Sequence, residues 1–291
     1  MNPPATRRSI DLPAGTIHYR EHGPADGPVV VFVHGFLVDD TLWSDVPERL
    51  AARGFRALAP TWPLASHTTA MREGADLSPR GIARIVLSFL DALDLRDVTL
   101  VGNDTGGAVC QFLLDEDATR VGRLVLTNCD AYDQFPPFPF GLLFRAVRRP
   151  GLGRLLLQAT RVGRLRVGLL GFGGLVERRL TAAETDPWVR PYLDDAAIRR
   201  DVASFARGWA RSDLVDVATR LPAFDRPVLL CWAPADRFFK IGLGRRLAAD
   251  LPDARLVEVP GARTFVALDQ PARVADEIAA FAGATVEGGL S

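Results

Sequence analysis

The chain lacks an excess of charge of either sign: 35 lysines and arginines face 35 aspartates and glutamates, a formal net charge of zero. No global basic field argues for a polyanion, so nucleic acid is not an expected partner. Cysteine is scarce. Cys110, Cys129 and Cys231 are widely spaced, odd in number and without a C-x-x-C pair, which argues against a disulfide framework and a zinc site and fits a reducing interior. No apolar run reaches the roughly 18 residues that a bilayer span needs. The polar stretch Met1 to Ser9 is not followed by the apolar core of a secretory leader. A cytoplasmic protein with no stable membrane insertion is therefore expected. What the chain does have is 291 residues with 48% hydrophobic content, enough for the core of one large domain or two modest ones.

Strand-like and helix-like segments alternate over most of the length, with no internal repeat, which predicts an α/β layered fold. An opening hairpin, Arg7 to Leu12 and Thr16 to Glu21, is followed by Val29 to Val33, a run apolar on both faces as a buried, mostly parallel sheet requires. Further short runs follow at Ala57 to Ala59, Val98 to Val101, Leu124 to Leu126, Val228 to Trp232 and Leu256 to Val259. Ser78-Pro79 opens a helix, a cap followed by proline at the first helical position, with Ile82, Ile85, Val86, Phe89, Leu90 and Leu93 on one face. From about Asp130 to Leu221 the alternation stops. That stretch, rich in Leu, Arg, Gly and Pro, is expected to form a helical cap inserted after the sixth strand. The division is 1–129 and 222–291 for the core and 130–221 for the cap.

The most informative segment is Gly102-Asn103-Asp104-Thr105-Gly106-Gly107, where a strand turns directly into a helix in the pattern G-x-D-x-G. So sharp a turn needs small neighbours and projects its apex residue above the sheet, with a helix N-terminus behind it. The apex residue is Asp104. The simpler alternative is that the glycines only make a turn and Asp104 caps the helix.

Two flanking segments bear on the choice. His34-Gly35-Phe36 directly follows the strand Val29 to Val33, and Asp236 follows the strand Val228 to Trp232 in Ala233-Pro234-Ala235-Asp236-Arg237. With these motifs the sequence resembles the α/β-hydrolase family over nearly its whole length. Within that family the aspartate at the elbow is similar to epoxide hydrolases and to haloalkane and fluoroacetate dehalogenases. The resemblance implies that Asp104 attacks an electrophilic carbon of a small molecule. It further implies that the backbone amides of Phe36 and Thr105 form an oxyanion hole and that Asp236 is the supporting acid. Neither a metal nor another cofactor is implied. A carboxylate nucleophile makes chemical sense for such substrates, since attack on an alkyl carbon gives an ordinary ester whereas attack on an acyl carbon would give a mixed anhydride.

The pattern breaks at the base. In the resembled enzymes a histidine after the last core strand deprotonates the water that cleaves the ester. Here the stretch reads Pro260-Gly261-Ala262-Arg263-Thr264-Phe265, placing Thr264 at the histidine position. A neutral threonine hydroxyl is no general base near pH 7. Of the four histidines, His67 lies on a loop at the elbow's end of the sheet and is a candidate to reach the site. His34 belongs to the oxyanion loop, where it orders the loop or meets substrate. Asp130, after the strand Leu124 to Leu126, stands where some dehalogenases keep their acid. The tryptophan or arginine by which such dehalogenases hold the halide after the nucleophile is replaced by Thr105. Tyr132 and Tyr192 fall where epoxide hydrolases carry cap tyrosines, which tips the sequence towards epoxide opening. Taken alone, either tyrosine is better accounted for as an ordinary amphipathic surface or core residue.

Arg145 to Arg166 contains seven arginines, several leucines and no acid. Attraction of an anionic substrate, an acidic partner or a membrane surface is one explanation. A solvated cationic face with its leucines packed on the catalytic domain is the other. Two further functions stay open: a lyase, isomerase or cyclase with Asp104 as general base, and a binding protein that performs no chemistry.

Overall fold

The computed structural model describes residues 6–210 and 212–283. Residues 1–5, the start of the polar N-terminal stretch, lie outside these. Eight strands form one sheet: β1 (Thr6–Leu12), β2 (Gly15–His22), β3 (Val29–Val33), β4 (Arg56–Pro60), β5 (Val98–Asp104), β6 (Val121–Cys129), β7 (Val228–Trp232) and β8 (Ala254–Glu258). Their order is β1-β2-β4-β3-β5-β6-β7-β8. The hairpin β1–β2 and the β2–β4 pair are antiparallel, and every pair from β4 onward is parallel. This is the α/β-hydrolase fold that the sequence predicts. Val30 to Val33 are buried because helices cover both faces of the sheet, which explains why the run has no polar alternation.

Helix α1 spans Val46–Ala51 and α2 spans Pro79–Ala92. Helix α2 starts as expected: the Ser78 hydroxyl accepts from the Gly81 amide at 3.1 Å, and Ile82, Ile85, Val86, Phe89 and Leu90 turn inward. Helix α3, Thr105–Glu116, leaves β5 without an intervening residue. Between β6 and β7 the chain is helical, with α4 (Phe140–Val147), α5 (Pro150–Leu157), α6 (Gly163–Arg166), α7 (Ala182–Asp194), α8 (Ala196–Arg207) and α9 (Asp213–Ala218). This insertion is tied to the core by Trp188, whose indole N–H donates to Asp39 and Thr41, and by Phe36, against which Phe144 packs at a tilt and Phe205 stacks. Helices α10 (Ile241–Asp250), α11 (Val266–Asp269) and α12 (Pro271–Gly283) complete the chain. Sheet order reverses at β3, so the carboxyl ends of β3, β5, β6 and β7 meet the insertion at one crevice, where open α/β sheets place ligands.

Candidate active site

Asp104 is the last residue of β5 and the residue before α3, with φ +52° and ψ −130°, a strained backbone for any residue with a side chain. The neighbouring glycines explain how the turn closes. A Cβ on Gly106 would fall 2.0 Å from the carbonyl oxygen of Val33, so only glycine lets α3 approach β3 so closely. Asp104 Oδ2 accepts from the Phe36 amide at 3.2 Å, and the Thr105 amide likewise favours the carboxylate. Burial opposes both. Its pKa rises to about 7, chiefly by desolvation, with a further push from the charge of Asp236.

The loop that presents Phe36 is fixed by His34. This ring is buried; its Nε2 accepts from the Trp62 amide at 2.8 Å, so Nδ1 carries the proton and donates to the Gly35 carbonyl at 2.9 Å. Burial lowers its pKa to about 4 and keeps it neutral. His34 therefore orders the loop that carries Phe36 and does not border the cavity.

Asp104 opens into a cavity of about 330 Å³ walled mostly by carbon, with Phe36, Phe140, Leu143, Phe144, Leu169, Leu170, Phe172 and Phe238 among its lining residues. Its polar side chains are Asp104, Thr105, Thr160, Arg166 and Thr264. Thr264, buried, donates from its hydroxyl to Asp236 Oδ1 at 3.0 Å. Asp236 also accepts from the Phe238 amide at 2.8 Å and from the Asn128 amide group at 2.8 Å. Desolvation still raises its pKa.

The other candidates are distributed differently. Asp130 is fully buried and its amide N–H contacts the Asp104 carbonyl at 3.3 Å, but neither of its carboxyl oxygens makes a well-formed hydrogen bond. Burial, with Asp104 adding to it, raises its pKa well above the ordinary range and disfavours its charged form. His67 does not join Asp104. It faces Asp201 of α8 at 3.3 Å and borders a separate cavity beside His18 and Asp39. Tyr132 is likewise turned away: its hydroxyl donates to Asp250 at 2.6 Å and its ring lies under Arg246. Tyr192 is buried among the helices of the insertion, its hydroxyl so close to Gly153 that a Cβ there would fall 2.1 Å away. None of the chain's histidines or tyrosines lines the Asp104 cavity. The tyrosine-based preference for epoxide opening loses its support for this reason.

Sequence patterns passed over two residues. Asn128 holds Asp236 and accepts from the Ala233 amide at 2.7 Å, and its signal was its place at the end of β6. Arg166 is one of the seven clustered arginines, yet it alone turns inward to line the cavity, donating to Thr160, Thr185 and Ala182 and facing Asp186 at 3.2 Å.

A mostly parallel sheet with an acid raised on its strand-to-helix turn, beneath a helical insertion, defines an enzyme of the α/β-hydrolase type. The chain belongs to the alpha/beta hydrolase family, whose model matches residues 30–277. It is 29% identical over 293 aligned residues to haloalkane dehalogenase 2 of Mycobacterium bovis, covering 94% of each chain. Among solved structures it is similar to haloalkane dehalogenase DbeA from Bradyrhizobium elkani, with a TM-score of 0.81 at 17% identity, covering 98% of this chain and 100% of that one. It is also similar to the epoxide hydrolase CorEH, with a TM-score of 0.74 at 17% identity, covering 95% and 98% respectively.

Proposed function

We propose that this hydrolase takes a small, largely apolar molecule bearing an electrophilic alkyl carbon, and that Asp104 is its nucleophile. The observation that carries this is Asp104 on its strained turn, with Oδ2 at 3.2 Å from the Phe36 amide at the floor of an apolar cavity. A carboxylate oxygen attacks the carbon, the leaving group departs with its bonding electrons, and an alkyl ester of Asp104 results. The Phe36 and Thr105 amides would then hold the ester carbonyl oxygen, ready for the negative charge that water attack on the Asp104 carboxyl carbon creates.

An epoxide needs a proton on its opening oxygen, and no tyrosine lines the cavity to supply it. A leaving group that departs as a stable anion needs none, so displacement of halide fits better than epoxide opening. This accords with the dehalogenases among its relatives. Arg166 is the cationic side chain in the lining that such an anion would meet. For the second half-reaction Thr264 and Asp236 offer only a hydroxyl and a hydrogen-bonded acid, so ester cleavage is the slow step. The helical insertion serves as the cap that keeps bulk water from the ester.

The test is intact-mass measurement after incubation with a primary alkyl halide and, separately, with a terminal epoxide. One alkyl adduct on wild type, located at Asp104 and missing from Asp104→Asn, supports the proposal. An unmodified protein that consumes the halide refutes it.

A second function is favoured by a different observation, the Asp104 pKa of about 7, which suits a general base at neutral pH. A lyase, isomerase or cyclase of this kind would form no ester. Oxygen-18 from water appearing in the Asp104 carboxylate after turnover rules it out.

A further inference from the structure

We infer that the outer face of the helical insertion docks on an anionic lipid surface, and that the cavity opens on that same face. Ten large apolar side chains are exposed among the described residues, and nine of them lie between Phe138 and Leu170; Val215 is the exception. Helix α5 shows the inversion most plainly. Leu152, Leu155 and Leu156, at i, i+3 and i+4, face outward while Gly153 and Leu157 face in. An ordinary surface helix keeps its polar residues on the outside. The leucines are thus not packed on the catalytic domain, as the plainer account of this stretch required.

The charges on this face are of one sign. No aspartate or glutamate occurs from residue 138 to residue 170. Of the seven arginines, Arg148 and Arg166 turn to backbone carbonyls and Arg161 pairs with Asp194. Arg145, Arg149, Arg154 and Arg164 are exposed and form no ion pair with any described carboxylate. A neutral protein has therefore concentrated unpaired positive charge among exposed leucines, the pattern of an interfacial surface.

Charge complementarity selects the occupant. A second copy docked face to face would bring the same arginines against each other, because a two-fold contact uses one patch twice. An acidic lipid surface takes the guanidinium groups at its headgroups and the leucines just below them. No helix among the described residues is long and apolar enough to cross a membrane, so the contact is peripheral. Leu169 and Leu170 belong both to this face and to the cavity lining, and Leu170 is fully exposed. Resting on the function proposed above, this arrangement points to an alkylating substrate that arrives from the lipid phase.

The experiment is sedimentation of the full chain with vesicles of phosphatidylcholine, with or without phosphatidylglycerol, at low and high salt. Partition into the anionic vesicles should exceed that into neutral ones by about tenfold and fall as salt is added. The triple variants Arg145→Glu/Arg149→Glu/Arg164→Glu and Leu152→Ser/Leu155→Ser/Leu156→Ser should each lose about tenfold of that partition. Both should keep the wild-type melting curve and reactivity towards a water-soluble alkyl halide, since none of these residues lines the cavity. Asp104→Asn should bind vesicles as wild type does, so failed docking and failed chemistry are separately visible. Equal partition into neutral and anionic vesicles, or arginine variants that bind undiminished, would overturn the inference. So would a dimer that the leucine variant dissociates while neither protein binds vesicles, or retention on an acidic polypeptide without vesicle binding.

Discussion

The Thr264 hydroxyl donates to Asp236 Oδ1 at 3.0 Å, at the position where the sequence resemblance leads one to expect a histidine. Asn128 and the Phe238 amide hold the same Asp236 carboxylate from other sides. Thr264 borders the cavity, so a larger side chain there has open space to enter. Thr264→His should therefore place a base between Asp236 and the ester, accelerating loss of the Asp104 adduct by about a hundredfold. Thr264→Val should leave it as persistent as in wild type. Time-resolved intact mass after removal of excess alkyl halide distinguishes the two.

Formation of the adduct should depend on pH in one direction only. On the proposed mechanism the carboxylate is the attacking form, and burial raises the Asp104 pKa to about 7. Its rate should rise between acid and mildly alkaline solution, with a midpoint close to neutrality, and then level off. A rate that is already maximal at pH 5 would show that Asp104 is ionised in spite of its burial.

The same shift has a cost in stability whose sign is fixed. Between the ordinary carboxyl value of 3.8 and about 7 the folded chain holds a proton on Asp104 that the unfolded chain has released. Stability is then fully present below the lower value and declines as pH rises through the upper one. Asp104→Asn removes the titration and should be stabilised relative to wild type by more at pH 8 than at pH 4, by on the order of a few kcal/mol. Thermal melts of both proteins across that range check it. A difference that is flat with pH would contradict the assigned burial.

Asp236 and Asp130 should differ in their effect on the nucleophile. Asp236 contributes its charge to the raised Asp104 pKa, so Asp236→Asn should move the midpoint of adduct formation below that of wild type. Burial pushes the Asp130 carboxyl well above the ordinary range, against its charged form, and its charge is not among the causes of the Asp104 shift. Asp130→Asn should leave the midpoint in place. The pH profiles of the two variants settle which acid communicates with Asp104.

The elbow was legible in the sequence because its constraints are local. Gly102, Asp104 and Gly106 lie within five positions of one another, and the strand before them and helix after them carry their own periodicity. The strands were equally legible from their unbroken apolar runs. The places of His67 and Tyr132 were not legible, because each depends on a partner far along the chain, Asp201 and Asp250. A loop position at the elbow's end of the sheet says nothing about which distant carboxylate a side chain will find. The leucines of α5 posed a related difficulty: their spacing gives a face, but only the packed structure says whether that face points to the sheet or to solvent.

Gly35 offers a test that separates the geometry of the elbow from the chemistry of its acid. A Cβ at this position would lie 2.2 Å from Asp104 Oδ2 and 2.8 Å from its Cγ, closer than non-bonded atoms approach. Gly35 is not among the residues with positive φ, so alanine meets no backbone penalty there and the clash falls on Asp104. The Asp104 Cβ would also lie 2.7 Å away, so rotation of the carboxylate alone does not relieve the clash and the loop that His34 fixes must move outward. That shift breaks the 3.2 Å contact that aims the proposed nucleophile. Gly35→Ala should cut the rate of adduct formation by about a hundredfold, the scale expected when a single oxyanion donor is lost. Its circular dichroism should stay that of the wild type. An alanine variant that alkylates at the wild-type rate would mean that attack does not require the carboxylate to sit beneath the oxyanion loop.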